Sequence, residues 1–374
     1  MISKSVVVTG MSLICALGQL KCSWQKLLRG KSGIRRVACF AEFPPQPLGL
    51  IDSYPTTLNS LIPTLVKDAL IDANLTTPLP DCGVVVGSSR GYQAQWEQQA
   101  QKFDPNIGLF PDCLHHQIAL QVARQIGATG SVLAPMGACA TGAIAIASAY
   151  ELIQTGQCQQ VITGAIEAPI TPLTLAGFAR MGALAKTGAY PFDIDREGFV
   201  LAEGGALFIL ESAEFAQRRN AAIYGQILGW GLTADAASLN RPHLTGKSSI
   251  GAIRAALNRS QLSADDIDYI HAHGTATDLN DLHEANLIQS LFPPGVAVSS
   301  TKGSTGHTLG ASAALGIGFS LMALKHQTLP PCVGLNKAEF PLNFVTDARS
   351  TTVKNVLCLS FGFGGQNAAI AIGQ

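Results

Sequence analysis

Short apolar runs that stop at a glycine recur along this chain, each followed by a stretch with helical spacing, and that alternation decides its fold class. Val6-Val7-Val8-Thr9-Gly10, Cys82-Gly83-Val84-Val85-Val86-Gly87 and Gln160-Val161-Ile162-Thr163-Gly164 are rich in β-branched residues and bounded by turn residues, so they read as strands. Ala206-Leu207-Phe208-Ile209-Leu210 reads the same way inside 201–211, and 129–134 is a shorter strand. Residues 22–28, 58–73, 112–126 and 140–157 carry the helical period. A second cycle begins near Ile223, with strands at 224–230, 267–272, 296–300 and 356–360 and helices at 248–260, 281–292 and 310–326. Strands that are apolar on both faces belong to covered central sheets, which predicts an α/β protein. The cycles meet near residue 225, dividing the chain into 1–225 and 226–374. The segment 93–103 is polar and aromatic and is assigned to neither helix nor strand.

Composition narrows the function. Only 13% of the 374 residues are charged and 38 are glycine, which fits a deeply buried core rather than a disordered or coiled-coil chain. Lysine plus arginine balance aspartate plus glutamate at 25 each, so nothing in the overall charge points to nucleic acid. Nine scattered cysteines, odd in number and without a Cys-x-x-Cys pair, indicate free thiols in a reducing compartment. The apolar stretch after Lys4 is broken by Thr9-Gly10 and reads as a strand rather than a leader. The apolar run 311–324 is shorter than a bilayer span, so a cytoplasmic protein with no membrane span is expected.

Three turns could carry chemistry. Cys139 lies in Ala134-Pro135-Met136-Gly137-Ala138-Cys139-Ala140-Thr141-Gly142-Ala143, where small neighbours admit a substrate close to the sulfur. At a helix N-terminus its pKa would be lowered, as suits a nucleophile. His271-Ala272-His273-Gly274-Thr275-Ala276-Thr277-Asp278 and Ser300-Thr301-Lys302-Gly303-Ser304-Thr305-Gly306-His307 also follow strands and precede helices. Sites in open α/β sheets form at such carboxyl-end loops, so one cysteine and two histidines can converge. A cysteine can hold an acyl group as a thioester, while two imidazoles donate to the carbonyl of a second thioester as an enolate forms. A hydrolase could use a cysteine and one histidine, but has no need of the second. His271, His273, Asp278 and His283 lack the spacing of a metal site, and the Lys302 turn lacks phosphate-loop order. His115-His116, in the 112–126 helix, reads as partly exposed.

These blocks together resemble the β-ketoacyl-acyl-carrier-protein synthases, closest to the elongating type with a Cys-His-His site. The resemblance rests on Ala138-Cys139-Ala140-Thr141-Gly142, His273-Gly274-Thr275-Ala276-Thr277, the Lys302–His307 block and Ser360-Phe361-Gly362-Phe363-Gly364-Gly365-Gln366-Asn367. Pro191-Phe192-Asp193-Ile194-Asp195-Arg196-Glu197-Gly198-Phe199-Val200 adds a fifth block, in order, over nearly the whole chain. It implies a thiolase-like fold, two similar halves packed as αβαβα layers. The half 1–225 would carry the nucleophile and the half 226–374 both histidines. By the same resemblance Cys139 accepts the acyl chain from a phosphopantetheine arm, and His273 and His307 bind the malonyl thioester and support decarboxylation. Lys302 and Glu284 would form a supporting charged network. The N–H groups of Cys139 and Phe363 would make an oxyanion hole, Phe363 would gate the acyl pocket, and Thr275 and Thr277 would touch the pantetheine arm. No resident cofactor or metal is expected. The partners would be an acyl carrier protein, acyl and malonyl thioesters, and an identical or related subunit.

Departures from the family pattern point to a specialised enzyme. The 186–190 loop is short, Tyr190 stands where arginine usually precedes Pro-Phe-Asp, and Asn280 stands where glycine is usual. His115 and His116 replace apolar or small polar residues near the acyl pocket and the subunit interface. These changes fit a synthase for polyene or polyketide chains, or, as the alternative, ordinary drift within fatty-acid synthesis. Two rivals stand beside this reading. A non-catalytic chain-length subunit would typically lack the nucleophile, and a degradative thiolase would need a second cysteine, for which Cys358 is the candidate.

Overall fold

The computed structural model describes residues 4–102, 111–238, 243 and 245–374. Five strands of the first part of the chain lie on the main path of the large sheet: β1 (Val6–Cys15), β2 (Gly83–Gly87), β3 (Val132–Leu133), β4 (Gln160–Glu167) and β5 (Gly204–Ser212). They lie in the order β1-β5-β4-β2-β3, antiparallel across β1/β5 and β5/β4 and parallel across β4/β2 and β2/β3. The second part supplies β6 (Gly225–Ala234), β7 (Tyr269–His271), β8 (Ala297–Ser299), β9 (Asn343–Phe344), β10 (Asn355–Gly362) and β11 (Gln366–Gly373). Their order is β6-β11-β10-β7-β8, with the same alternation of directions and β9 added at the edge. Val6–Val8 of β1 pair antiparallel with Gly225–Ile227 of β6 and join the two sets.

Six helices set the layers: α1 (Leu58–Asp72), α2 (Gln117–Ile126), α3 (Thr141–Gln154), α4 (Lys247–Ser260), α5 (Asp278–Leu291) and α6 (Ser312–His326). Successive strand residues face opposite ways, and each way finds a helical layer. In β4, Ile162 and Ile166 pack with Leu61, Leu65, Ile118 and Val122 of α1 and α2. Val161 and Ala165 turn to the other side, toward Ile146 and Ile153 of α3 and Leu315 and Phe319 of α6. The second set repeats this, with Ile270 and Leu357 under Ile253 of α4 and Ile288 of α5, and Tyr269 and Val356 in the middle layer. The result is αβαβα.

The middle helices approach closely because small residues line their contact. A Cβ on Gly142 would stand 2.8 Å from the backbone nitrogen of Ala314. With its leading turn, the segment Leu309–His326 is long and apolar enough to cross a membrane by length and composition, more than the run 311–324 suggests. Its most apolar window is 89% buried inside the protein, the place of a core helix.

Several boundaries differ from expectation. Residues 111–116 form turns, so α2 starts at Gln117 and His115 and His116 lie exposed ahead of it. Gln93–Lys102 is a helix, while Phe103 lies outside the described residues. β11 has no counterpart among the expected strands. Its alanines carry little β-propensity, but it is paired on both sides, with β10 and β6.

Candidate active site

Two turns of the same shape lead into the two middle helices. Ala138–Ala140 precedes α3 and Leu309–Ala311 precedes α6, each as one tight helical turn. Ala138 at φ 47° and Leu309 at φ 45° both hold the left-handed conformation, which costs roughly 1–2 kcal/mol per non-glycine residue. Cys139 follows the first and Gly310 the second. At Gly310 a Cβ would lie 2.4 Å from Oε1 of the buried Glu167, so that turn has no room for a side chain.

The Cys139 turn is braced from three sides. Thr141 Oγ1 donates to the Ala138 carbonyl at 2.7 Å and accepts from the Gly137 N–H at 2.9 Å. Ser360 Oγ, from β10, donates to the Cys139 carbonyl at 3.0 Å. At Gly362 a Cβ would come within 3.0 Å of the Cys139 nitrogen, so only glycine lets this strand end cross the turn. That crossing brings the Phe363 N–H to the sulfur, toward which it donates.

His273 follows β7 and His307 follows the one-turn helix Lys302–Thr305. Their rings meet edge-on, centroids 5.4 Å apart, and a ring nitrogen of each lies within 4.8 Å of the other and of Cys139 Sγ. All three residues are buried. Glu284, on α5, accepts from the N–H of His273 at 2.6 Å and of Gly274 at 2.7 Å. Lys302 Nζ donates to the His273 carbonyl and stands 3.5 Å from His273 Nδ1. Lys302 and Glu284 therefore clamp the same turn from opposite sides, and no direct ion pair between them occurs among the described residues. Ser312 Oγ lies 2.7 Å from His307 Nδ1 and commits that nitrogen, leaving Nε2 for the cavity.

Burial dominates the electrostatics. It pushes the Cys139 thiol up to about 11, against the pull of the Lys302 ammonium and the Phe363 N–H. The expectation of a lowered pKa is thereby corrected, because loss of water outweighs the helix end. Burial first, and the Lys302 charge second, hold both imidazoles well below their ordinary value. Burial also lowers Lys302 and raises Glu284. At neutral pH the site thus holds a neutral thiol beside two neutral imidazoles. Three such donors could reach a metal ion, but the ammonium beside His273 opposes a divalent cation. His271, Asp278 and His283 diverge: His271 meets Thr301 at 3.2 Å, His283 meets Ser249 at 3.1 Å, and Asp278 pairs with Arg196 at 3.7 Å.

A cavity of about 380 Å³ opens at Cys139. A second, of about 290 Å³, is lined by Thr277, Asp278 and the Gly364-Gly365 turn, and Phe363 lines both. Thr275 Oγ1 and Thr277 Oγ1 are 2.8 Å apart beside this second space. Cys358, by contrast, is buried in β10 against Ser320 at 3.1 Å, with its thiol pushed up to about 12 by burial.

Residues 58–216 match the family described as "Beta-ketoacyl synthase, N-terminal domain", and residues 224–336 match "Beta-ketoacyl synthase, C-terminal domain". The chain belongs to the β-ketoacyl synthase family. The synthase is 31% identical to the 3-oxoacyl-[acyl-carrier-protein] synthase 2 of Staphylococcus aureus, with 98% of each chain covered. It is also 31% identical to a mitochondrial 3-oxoacyl-[acyl-carrier-protein] synthase of Arabidopsis thaliana, over 98% of this chain and 92% of that one. Among solved structures, it superposes at TM-score 0.93 and 27% identity on a chain of a type II polyketide acyl-carrier protein in complex with its ketosynthase bound to the hexaketide, covering 99% of each. The ishigamide ketosynthase/chain length factor gives TM-score 0.91 at 26% identity, over 100% of this chain and 99% of that one. These matches confirm the thiolase-like fold.

Two residues of the site escape sequence reasoning. Asp281 accepts from the N–H of Phe192 at 2.8 Å and of Ala276 at 3.2 Å, tying the Pro-Phe-Asp block to the His273 turn. An acid in the first turn of a helix that follows a Thr-rich loop is its only local mark. Ser312 carries none, since its role depends on where α6 begins relative to His307.

Proposed function

We propose that this synthase joins two carrier-bound acyl units by decarboxylative Claisen condensation, with Cys139 holding the growing chain. The convergence of the Cys139 sulfur with a nitrogen of His273 and of His307 within 4.8 Å carries this reading. The thiol is neutral at rest, so attack on an acyl thioester needs a proton acceptor, and a neutral imidazole stands within reach. The sulfur–carbon bond forms, the pantetheine sulfur leaves, and the proton passes to it. The Phe363 N–H, with that of Cys139, stabilises the oxyanion; such a donor contributes about 10²- to 10³-fold.

A malonyl thioester then takes the place of the departed arm. His273 and His307 donate N–H groups to its carbonyl oxygen, and loss of CO2 leaves the electron pair as an enolate. The enolate carbon attacks the Cys139 thioester and expels the Cys139 thiolate, which takes a proton from solvent, and a β-ketoacyl chain is left on the carrier. Lys302 and Glu284 are positioning residues that hold the His273 turn. Thr275 and Thr277 fit the pantetheine arm at the second cavity, and Phe363, between the two spaces, fits a gate. In this reading 1–225 brings the nucleophile and 226–374 both histidines.

The phosphopantetheine belongs to an acyl carrier protein, and the synthase needs no resident cofactor. Leu133 in the short edge strand β3 and Met136 just beyond it are exposed, which supports pairing with a second, identical or related subunit. Nine free cysteines fit a cytoplasmic setting. The intact nucleophile counts against a non-catalytic chain-length subunit, and the remote Cys358 counts against a thiolase.

The test is to supply acyl- and malonyl-carrier thioesters and measure β-ketoacyl product and CO2. One CO2 per product is expected, with both lost in Cys139→Ala of unchanged fold. Condensation that survives in that variant overturns the assignment.

A further inference from the structure

The cavity at Cys139 is not a plain hydrocarbon pocket. Met136, Phe178, Leu309 and Phe363 make its apolar wall, but Arg90 lines it as well. The turn that bears Arg90 follows β2 and is anchored on the buried Glu167. That carboxylate accepts from Ser88 Oγ at 2.8 Å, from the Ser89 N–H, and from the Arg90 N–H at 3.4 Å. With its backbone pinned, the half-buried Arg90 lays its guanidinium over the Phe178 ring, Cζ 5.2 Å from the centroid. Phe178 in turn faces Phe363 at 6.2 Å, so the cation stands one ring away from the residue between the two cavities.

A ring face satisfies the charge of a guanidinium but none of its in-plane N–H groups. Among the described residues, the Arg90 guanidinium has no ion pair and no side-chain hydrogen bond. Glu167 attracts the Arg90 charge but takes none of its side-chain N–H groups, because its oxygens accept from the turn. A chain of plain methylenes would strip water from these donors and return nothing. An oxygen on the chain would accept from them, and discrimination of about tenfold or more follows from leaving such donors unmet.

Resting on the condensing role proposed above, we propose that the acyl group carried on Cys139 bears a hydrogen-bond-accepting oxygen, keto or carboxylate, that Arg90 receives. Arg90 is then a specificity-determining residue, and the enzyme elongates oxygenated acyl chains in preference to saturated ones.

The experiment loads the full chain from pantetheine thioesters of equal length: hexanoyl, its distal-keto analogue, and the half-thioester of adipic acid. Intact-protein mass spectrometry follows the Cys139 adduct of each with time. At least one oxygenated arm should load about tenfold faster than hexanoyl. The keto and carboxylate arms distinguish the two sources of the oxygen. Arg90→Met, similar in length and apolar, should reverse the order, and Arg90→Lys should keep the carboxylate preference. Equal or faster loading of hexanoyl by the unaltered enzyme overturns the proposal, as does an unchanged preference in Arg90→Met. Failure of every arm to load Cys139 instead overturns the condensing role, and this proposal with it.

Discussion

Lys302 shows how one residue can serve two ends. Its Nζ holds the His273 carbonyl, and its charge helps to keep both imidazoles neutral. Neutral rings suit the proposed reaction, in which each donates one N–H to the malonyl carbonyl. In Lys302→Met the second cause of the low imidazole pKa disappears while burial remains. The rings should then protonate at higher pH, and the acid limb of the condensation pH–rate profile should move upward. A profile that keeps its acid limb while losing amplitude would assign Lys302 a purely structural part. The meeting of Cys139, His273 and His307 was legible in sequence, because each stands in a turn of small residues at a strand end. The state of the thiol was not legible. It depends on how completely the site is buried, and the burial comes from β10 and β11 folding back across the turn from more than two hundred residues away.

The turn–helix element appears twice, and comparing the copies explains the placement of Cys139. Cys139 and Gly310 occupy matching places ahead of α3 and α6, and the two helices touch through Gly142 and Ala314. Spacing made both helices visible as apolar stretches. The repetition of the turn was hidden, because Ala138-Cys139-Ala140 and Leu309-Gly310-Ala311 share a conformation rather than a composition. β11 was hidden for a related reason: its alanines become a strand by pairing on both sides, which no local period reveals. The close helix contact makes a quantitative prediction. Gly142→Val should cost at least about 2 kcal/mol, read from the denaturant midpoint, because no flexible side chain can give way to it. Gly177→Ala, in the helix Pro172–Arg180 with nothing within 4 Å of the added methyl, should be neutral or stabilising by about 0.5–1 kcal/mol. Equal losses in both would deny the tight contact its part.

At the scale of the whole molecule, five layers bury polar groups deeply, and stability must therefore depend on pH. His271, packed against Gly316 and Thr301, is pushed down to about 3 by burial and then by Lys302. As pH falls below the ordinary imidazole value of 6.5, the unfolded chain takes up a proton there that the folded protein refuses, so stability falls. His273 and His307 act in the same direction. Asp281, raised by burial to about 6, acts in the opposite direction between its ordinary 3.8 and that value. His271→Gln should flatten the loss of stability between pH 6.5 and 5 relative to the unaltered protein, measured by denaturant titration at each pH. Identical slopes would place the acid sensitivity elsewhere. The layered architecture was legible from the strand–helix alternation, whereas the equal strand order of the two sets needed the register. The claim that joins all three scales is that Cys139 carries the acyl chain, and the intact mass of the protein after exposure to an acyl-carrier thioester tests it most directly. One acyl group should appear per chain, mapped to Cys139 by peptide digestion and missing in Cys139→Ala. Acylation that persists in that variant, or that maps to another cysteine, would contradict the account.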